Sequence, residues 1–363
     1  MKKNNTVEVF RFIFTMYVVV CHFYTSSAWV YKRPVNGWYA VEFFFVLSGY
    51  LLMRSCAKFD GTDVKPWQQA WTVFKAKYVR MLPVWLAACG VYFAGNVVSG
   101  AYPLNTLGRT IARNFPVFFM VIESGSFADF GILYSWYIPV MLIAFAVLLP
   151  LITANRKRFV YCFAPLITAF LLAYLWHTYG SICMLNEAWV GVTSTWTLRA
   201  LAEISLGCIA YEVSDTLRRR LSGRVNSRGR LLVTMGGLAG ILIPLCWMTF
   251  RLPRENQIPA LLLLAAGVAL MFSELGLFDR MFRGRFWGWL GSYSFALYLG
   301  QSVPRKAIDH LWGVLPDKVF FLLYIAVAIA AGLVIHYAAI LLVKLWRRVY
   351  PLFLRTFFPA QDA

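Results

Sequence analysis

The chain has 363 residues, of which 60% are hydrophobic and 14% are charged. An average soluble domain is about 45–50% apolar and about 25% charged, so a water-soluble fold could not bury this much apolar surface. The net charge of +19 is typical of a membrane protein, because cytoplasmic loops collect Lys and Arg, and no zinc-finger or RNP-type motif favours nucleic acid as a partner.

Ten stretches are apolar and long enough to cross a bilayer as helices, which takes about 20 residues. In chain order they cover residues 7–28, 38–57, 82–100, 134–153, 159–178, 196–213, 231–250, 258–277, 287–303 and 319–343. We therefore predict an all-α polytopic membrane protein with about ten transmembrane helices. Residues 1–363 are expected to form a single transmembrane domain with no fused extracellular domain. The seven scattered cysteines lack the spacing of a zinc site, so we expect no metal.

The stretch 115–122 is strongly apolar but too short to span a membrane. With ten crossings and a cytoplasmic N-terminus, most lysines and arginines fall on the cytoplasmic side, including those between Arg218 and Arg230. An additional crossing at 115–122 would place that basic run outside, against the positive-inside rule. We therefore predict a re-entrant or interfacial segment near 115–122, with both termini in the cytoplasm.

Two ionisable residues, Arg11 and His22, lie within the first predicted span. Eleven residues at about 100° each bring both side chains to one helix face, roughly 16 Å apart along the axis. Ionisable residues inside a span are costly and are functional candidates. The structural alternative is that Arg11 reaches the lipid headgroups and His22 bonds to a neighbouring helix.

Glu42 lies about one turn into the second predicted span, at a depth that we expect to match that of His22. We predict that the Glu42 carboxylate pairs with His22 and fixes the tautomer of its imidazole. In the alternative, Glu42 is an outer-surface residue at the headgroup boundary, paired with Arg33.

A basic cluster, Lys75, Lys77 and Arg80, precedes the third predicted span. Lys77 and Arg80 are three residues apart and share a helix face at the cytoplasmic surface. A guanidinium and an ammonium placed together suit a phosphate group. Contact with anionic lipids is the alternative.

Taken together, these motifs resemble the acyltransferase type 3 family. Its members are integral-membrane O-acyltransferases, which include bacterial O-antigen and exopolysaccharide acetylases. The resemblance covers the whole chain in order and rests on Arg11-x10-His22, the segment EFFFVLSGYLL from Glu42 to Leu52, Lys77-x-x-Arg80 followed by Pro83, Ser135-Trp136-Tyr137, and the segment GSYSFALYL from Gly291 to Leu299.

Three positions depart from the family pattern. Lys77 stands where an arginine is more usual, which removes a bidentate donor. Glu42 stands where many relatives have aspartate. Gln301 stands where a histidine is frequent, so we assign it no proton-transfer role.

The resemblance implies a reaction and a place for it. An acyl group, acetyl above all because it is common in relatives, moves from cytosolic acyl-CoA to a hydroxyl of a cell-surface or lipid-linked glycan at the bacterial inner membrane. His22, oriented by Glu42, is the expected general base. The nucleotide phosphates are expected at four cations, Arg11, Lys75, Lys77 and Arg80. The acceptor is expected at Trp38, Tyr134, Ser135, Trp136, Tyr298 and Gln301.

Alternatives stay open at the level of sequence. The acceptor hydroxyl attacks the thioester directly, or the acyl group passes first onto His22. The aromatic residues assigned to the acceptor would equally suit an interfacial belt. A transporter or flippase of a small solute or a lipid-linked saccharide would also have ten spans and buried charges. Against it, the two halves of the chain have no paired Gly- or Pro-broken helices, and the intramembrane charges concentrate in the first three spans.

Overall fold

The structure is a computed structural model that describes residues 4–26, 38–100, 105, 107–113, 120, 136–182, 188–249, 256–311 and 313–357. Apart from Met120, the segment predicted to be re-entrant or interfacial lies outside the described residues. So do Tyr134 and Ser135, two of the residues expected to contact the acceptor.

The described residues are predominantly helical. In chain order the helices are α1 (Asn5–Ser26), α2 (Trp38–Cys56), α3 (Pro66–Val98), α4 (Leu107–Arg113), α5 (Tyr137–Ala154), α6 (Ala164–Tyr179), α7 (Thr195–Leu221), α8 (Ser227–Thr249), α9 (Gln257–Met271), α10 (Phe278–Met281), α11 (Arg285–Gly300), α12 (Val303–Ile308) and α13 (Asp317–Phe357). A helical turn, Arg156–Arg158, and a π-helical turn, Phe159–Phe163, lead directly into α6. Two short strands, β1 (Trp189–Val190) and β2 (Thr193–Ser194), pair antiparallel before α7.

The prediction of an all-helical membrane protein is confirmed, because each of the ten predicted spans falls on a helix. Within the described residues, seven helical stretches are long and apolar enough to cross a membrane: Asn5–Phe23, Tyr39–Phe59, Pro66–Val98, Tyr137–Ala154, Arg156–Tyr179, Ser227–Trp247 and Asp317–Arg348. Helix α9 is apolar but has only 15 residues. Helices α7 and α11 are not among the seven, so the number of ten spans and the side of the termini stay predictions.

Helix α3 begins at Pro66, well before the predicted start of the third span, and continues through Pro83. Its 33 residues correspond to about 50 Å at 1.5 Å per residue, which exceeds the roughly 30 Å hydrocarbon core of a bilayer. The basic cluster before Pro83 therefore lies on the same continuous helix as the span that follows it.

The chain divides into two compact units. Unit 1 contains Met1–Lys77 and Trp136–Ser292, and unit 2 contains Tyr78–Ser135 and Tyr293–Ala363. Each unit has its own helix packing.

In unit 1, helices α2 and α7 cross so closely that their backbones touch. A Cβ atom added to Gly49 would lie 1.9 Å from the carbonyl oxygen of Ile204, and one added to Gly207 would lie 2.0 Å from that of Val46. The Cys208 thiol donates to the Gly49 carbonyl at 3.4 Å. Small residues allow such an approach in membrane proteins, where close packing and hydrogen bonds drive helix association.

Further contacts in unit 1 surround this crossing. Helices α8 and α9 pack through a second glycine pair, since a Cβ on Gly240 would lie 2.6 Å from the Cα of Gly267. The Tyr39 hydroxyl of α2 donates to the Ile241 carbonyl of α8 at 2.7 Å. Helices α2 and α7 therefore form the centre of this unit.

In unit 2, helices α11 and α13 pack through Gly300, whose added Cβ would lie 2.9 Å from the backbone nitrogen of Gly332. The Tyr92 hydroxyl of α3 donates to the Leu299 carbonyl at 2.9 Å. The Lys306 ammonium donates to the amide oxygen of Asn96 at 2.9 Å. These contacts join α3, α11, α12 and α13.

Gly49→Ala and Gly207→Ala should each destabilise the protein, because the new methyl group would overlap a backbone carbonyl that cannot rotate away. Overpacking of this kind typically costs about 1–3 kcal/mol. The measurement is the midpoint of thermal unfolding in detergent. Gly90→Ala is the matched control: an added Cβ there meets no described atom within 4 Å, and Ala favours a helix over Gly. A Gly207→Ala protein that unfolds at the wild-type temperature would contradict the close crossing.

Candidate functional site

Polar contacts anchor the first turn of α1, the helix that carries Arg11 and His22. Asn4 caps the helix by accepting from the backbone nitrogen of Thr6 at 3.0 Å. The Thr6 hydroxyl donates to Asp279 Oδ1 at 3.0 Å, and the Asn5 amide donates to the Phe282 carbonyl at 2.8 Å. The start of α1 is therefore fixed to α10 and the residue after it.

Arg11 is half-buried and is held by an acidic neighbour one turn earlier. Its Nη1 donates to Glu8 Oε2 at 3.1 Å. A Cβ atom on Gly291 would lie 1.7 Å from Glu8 Oε2, so Glu8 has room only because residue 291 is a glycine. Gly291, the first residue of the segment GSYSFALYL, thus allows the ion pair of Glu8 with Arg11 because it has no side chain.

Helix α1 runs unbroken from Arg11 to His22. The eleven-residue spacing therefore keeps both side chains on one helix face, roughly 16 Å apart along the axis. The His22 side chain is half-buried. The roles of Arg11 in donor binding and of His22 as a base stay predictions.

Glu42 is buried at 1% exposure, which contradicts the alternative of an outer-surface residue. Its Oε1 accepts from Arg199 Nη2 at 2.6 Å, and Arg199 Nε donates to Glu203 Oε1 at 2.8 Å. Arg199 and Glu203 are both 0% exposed. We call Glu42, Arg199 and Glu203 the Arg199 triad. The Arg199 guanidinium also lies over the Phe45 ring, 5.9 Å from its centroid.

The register between α1 and α2 bears on the predicted pairing of Glu42 with His22. The rings of Phe14 and Phe43 stack with centroids 3.8 Å apart, so residue 14 lies beside the start of α2. His22 is eight residues further along α1, about 12 Å at 1.5 Å per residue. The structure gives Glu42 a partner in Arg199, and the pairing of Glu42 with His22 stays a prediction.

Tyr137, from the predicted motif at the start of α5, joins two other motifs. Its hydroxyl pairs with the Ser48 hydroxyl at 2.8 Å and donates to the Phe44 carbonyl at 2.9 Å. It also lies within electrostatic range of the Arg11 guanidinium and the Glu203 carboxyl. Tyr137 therefore lies near both the cation of α1 and the Arg199 triad.

The basic cluster of α3 lies largely on the surface. Lys75 and Arg80 are exposed, whereas Lys77 is half-buried with its ammonium 5.7 Å from the centroid of the Phe145 ring. Trp67 and Trp71 on the same helix are 65% and 57% exposed. Tryptophan and lysine together suit a lipid headgroup region as well as a phosphate ligand. Binding of the donor phosphates and contact with anionic lipids are therefore both compatible with the cluster.

Of the residues expected to contact the acceptor, Trp136 belongs to unit 1. Its ring centroid lies 4.4 Å from that of Trp196 and 6.2 Å from that of Phe45. Trp38 begins α2.

The other two, in unit 2, differ in burial. Tyr298 is half-buried in α11. Gln301 is buried at 1% exposure, and its backbone carbonyl accepts from the Tyr324 hydroxyl at 3.3 Å.

Arg199 and Glu203 were missed as candidates by the sequence reasoning. The available signal was two ionisable residues four positions apart within one predicted span, which places them on one face of a helix. Neither residue belongs to a motif of the resembled family, so a search that starts from those motifs does not find them.

The apolar helices, with charged side chains buried among them, define an integral membrane protein. The family model described as Acyltransferase domain, that of the acyltransferase type 3 family, matches residues 4–340, nearly the whole chain. The chain therefore belongs to the acyltransferase type 3 family, as the ordered motifs predicted, and it is a membrane acyltransferase. No curated protein and no solved structure matches it.

The contact that fixes the start of α1 to α10 can be tested through Asp279, which accepts a hydrogen bond from the Thr6 hydroxyl. Burial raises the pKa of Asp279 to about 6 from its usual 3.8, although the Thr6 hydrogen bond opposes the rise. Because the folded pKa is the higher one, the stability that Asp279 contributes is complete below about pH 4 and is lost as the pH rises through 6.

Relative to wild type, Asp279→Asn should therefore gain stability between pH 4 and 6.5. The measurement is the thermal unfolding midpoint of both proteins across this range. Asp63→Asn, at an exposed aspartate, is the matched control. A difference between Asp279→Asn and wild type that does not change with pH would show that the carboxyl is not buried as described.

Proposed function

We propose that this protein is a membrane O-acyltransferase. It moves an acyl group, acetyl in the first place, from cytosolic acyl-CoA to a hydroxyl of a cell-surface or lipid-linked glycan at the bacterial inner membrane. Membership of the acyltransferase type 3 family carries the proposal. The continuous helix from Arg11 to His22 supports it, because a cation and an imidazole share one face of α1.

The donor binds through its phosphates. Lys77 and Arg80 share a face of α3 ahead of Pro83, and Arg11 supplies a further guanidinium that Glu8 keeps in place. A pantetheine arm is on the order of the roughly 16 Å between Arg11 and His22. The thioester of a donor held at Arg11 is therefore able to reach His22.

In the proposed reaction, His22 removes the proton of the acceptor hydroxyl. The oxygen attacks the thioester carbonyl, the carbon–sulfur bond breaks, and CoA leaves as the thiol after taking up the proton. General-base assistance typically contributes about 10²–10⁴-fold. In the variant with an acyl-His22 intermediate, a nitrogen of the imidazole attacks the thioester carbonyl, the carbon–sulfur bond breaks, and CoA leaves as the thiol with the proton of the ring. The acceptor oxygen then attacks the acyl carbon, the carbon–nitrogen bond breaks, the hydroxyl proton returns to His22, and the kinetics are ping-pong.

The acceptor is assigned to the aromatic pair of Trp136 with Trp196 on the unit 1 side, since flat rings and indole donors suit sugars. Mass spectrometry of surface glycans from cells with and without the gene tests whether the acceptor is a glycan. A glycan that loses an acyl group when the gene is deleted identifies the acceptor, and unchanged glycans would refute a glycan acceptor.

His22→Ala should lower kcat by at least about 100-fold, because the acceptor hydroxyl then loses its base. The measurement is CoA release from acyl-CoA by purified membranes, with the amount of folded protein checked by immunoblot and by thermal unfolding. His177→Ala, at an exposed histidine near the end of α6, is the matched control. Normal product formation by His22→Ala would refute the role of His22 as base.

Lys77→Ala and Arg80→Ala should raise the KM for acyl-CoA, with kcat little changed, because each removes a charged contact to the donor phosphates. A hydrogen bond to a charged group contributes about 1.5 kcal/mol or more, which is roughly tenfold in affinity. Steady-state kinetics with varied acyl-CoA measure the effect. Lys58→Ala, at an exposed lysine after α2, is the control. An unchanged KM in both variants would make Lys77 and Arg80 lipid anchors.

A further inference from the structure

The residues of the Arg199 triad lie on the faces of α2 and α7 that contact each other at Gly49 and Gly207. Arg199, Glu203 and Gly207 follow at intervals of four residues on α7, and Glu42 and Gly49 are seven residues apart on α2, so each set shares one helix face. The crossing holds these faces at backbone contact. The position of Glu42 is therefore determined by α7.

The guanidinium of Arg199 uses different donors for its two partners. Nη2 bonds Glu42 at 2.6 Å and Nε bonds Glu203 at 2.8 Å. Two such bonds fix both the plane and the rotation of a guanidinium, which a lysine ammonium could not provide. Glu203 thus orients Arg199, and Arg199 in turn orients the Glu42 carboxylate.

Stability alone is a weak explanation for this triad. Moving ionised groups out of water is costly, and replacing a buried ion pair with apolar residues is often neutral or stabilising. Intramembrane ionisable residues are functional candidates for the same reason. The one member with a role in the proposed reaction is Glu42.

We propose that Arg199, anchored by Glu203, is a positioning residue of the acyl transfer: it holds in one orientation the carboxylate of Glu42, the residue expected to orient His22. This inference rests on the proposed function. It gives α7 a part in the reaction, although none of the family motifs lies on α7.

A double-mutant cycle between Arg199 and Glu42 tests the inference. Arg199→Lys, Glu42→Gln and the double variant are compared with wild type for kcat and for the KM of acyl-CoA. Arg199→Lys should lower kcat by about 10-fold or more and leave the KM within about twofold, because the donor phosphates bind elsewhere. The double variant should be no slower than Glu42→Gln alone, because Arg199 acts through Glu42.

Further variants separate positioning from a purely structural role. Arg199→Met should lose more activity than Arg199→Lys, which keeps a charge for Glu42. Glu203→Gln should lower kcat less than Glu42→Gln, and should add nothing to the Glu42→Gln loss. The thermal unfolding midpoint is measured for each variant. If Arg199→Lys does not accumulate in the membrane, Glu203→Gln takes its place in the cycle.

The outcomes are distinct. Wild-type protein that releases no CoA from any short acyl-CoA refutes the proposed function, and the inference falls with it. Active wild-type protein with independent, multiplicative losses for Arg199 and Glu42 refutes the positioning role alone. So does a loss of kcat that follows the unfolding midpoint in every variant.

Discussion

A guanidinium shared by two buried carboxylates fixes the register of α2 against α7, the two helices at the centre of unit 1. Arg199, Glu42 and Glu203 are each at most 1% exposed, so water compensates none of their charges. Removing one partner of a buried pair typically costs about 3–5 kcal/mol, because the remaining charge stays in a medium of low polarity. Since Glu42 belongs to α2 and the other two residues to α7, neither helix is able to slide without breaking the bond. The glycine crossing adds a steric constraint to this electrostatic one.

The same arrangement explains why α7 falls short of the apolarity expected of a span. Its buried residues include Arg199, Glu203 and Asp215, which lower its mean hydropathy. A helix that faces other helices can carry such groups, whereas a helix that faces lipid cannot. The Thr168 hydroxyl of α6 donates to the Ala202 carbonyl of α7 at 3.0 Å, so α7 has a polar neighbour on a second side. Hydropathy therefore underestimates helices at the centre of a membrane protein.

Features that depend on the local pattern of residues could be predicted from the sequence. The positions of the helices follow from apolar runs, and the shared face of Arg11 and His22 follows from their spacing in one helix. The contact of Glu42 with Arg199 could not be predicted, because it depends on the register of α2 against α7, which no local pattern encodes. The third predicted span began at residue 82 because the basic cluster before it is too polar for a bilayer core, whereas α3 begins at Pro66 and continues through Pro83, which lacks one backbone donor. A proline inside a membrane helix is tolerated when neighbouring groups compensate for that bond.

The segment EFFFVLSGYLL shows why a contiguous motif is able to define a site built from several helices. Within two turns of α2, Glu42 bonds to α7, Phe43 stacks on Phe14 of α1, and Ser48 pairs with a hydroxyl of α5. Gly49 then meets the backbone of α7. Successive residues of a helix point in different directions, about 100° apart, so a short string of residues reaches three neighbours of α2. The segment therefore joins α2 to three helices, among them α1 with its arginine and histidine, and places the carboxylate of Glu42 where these helices meet α2.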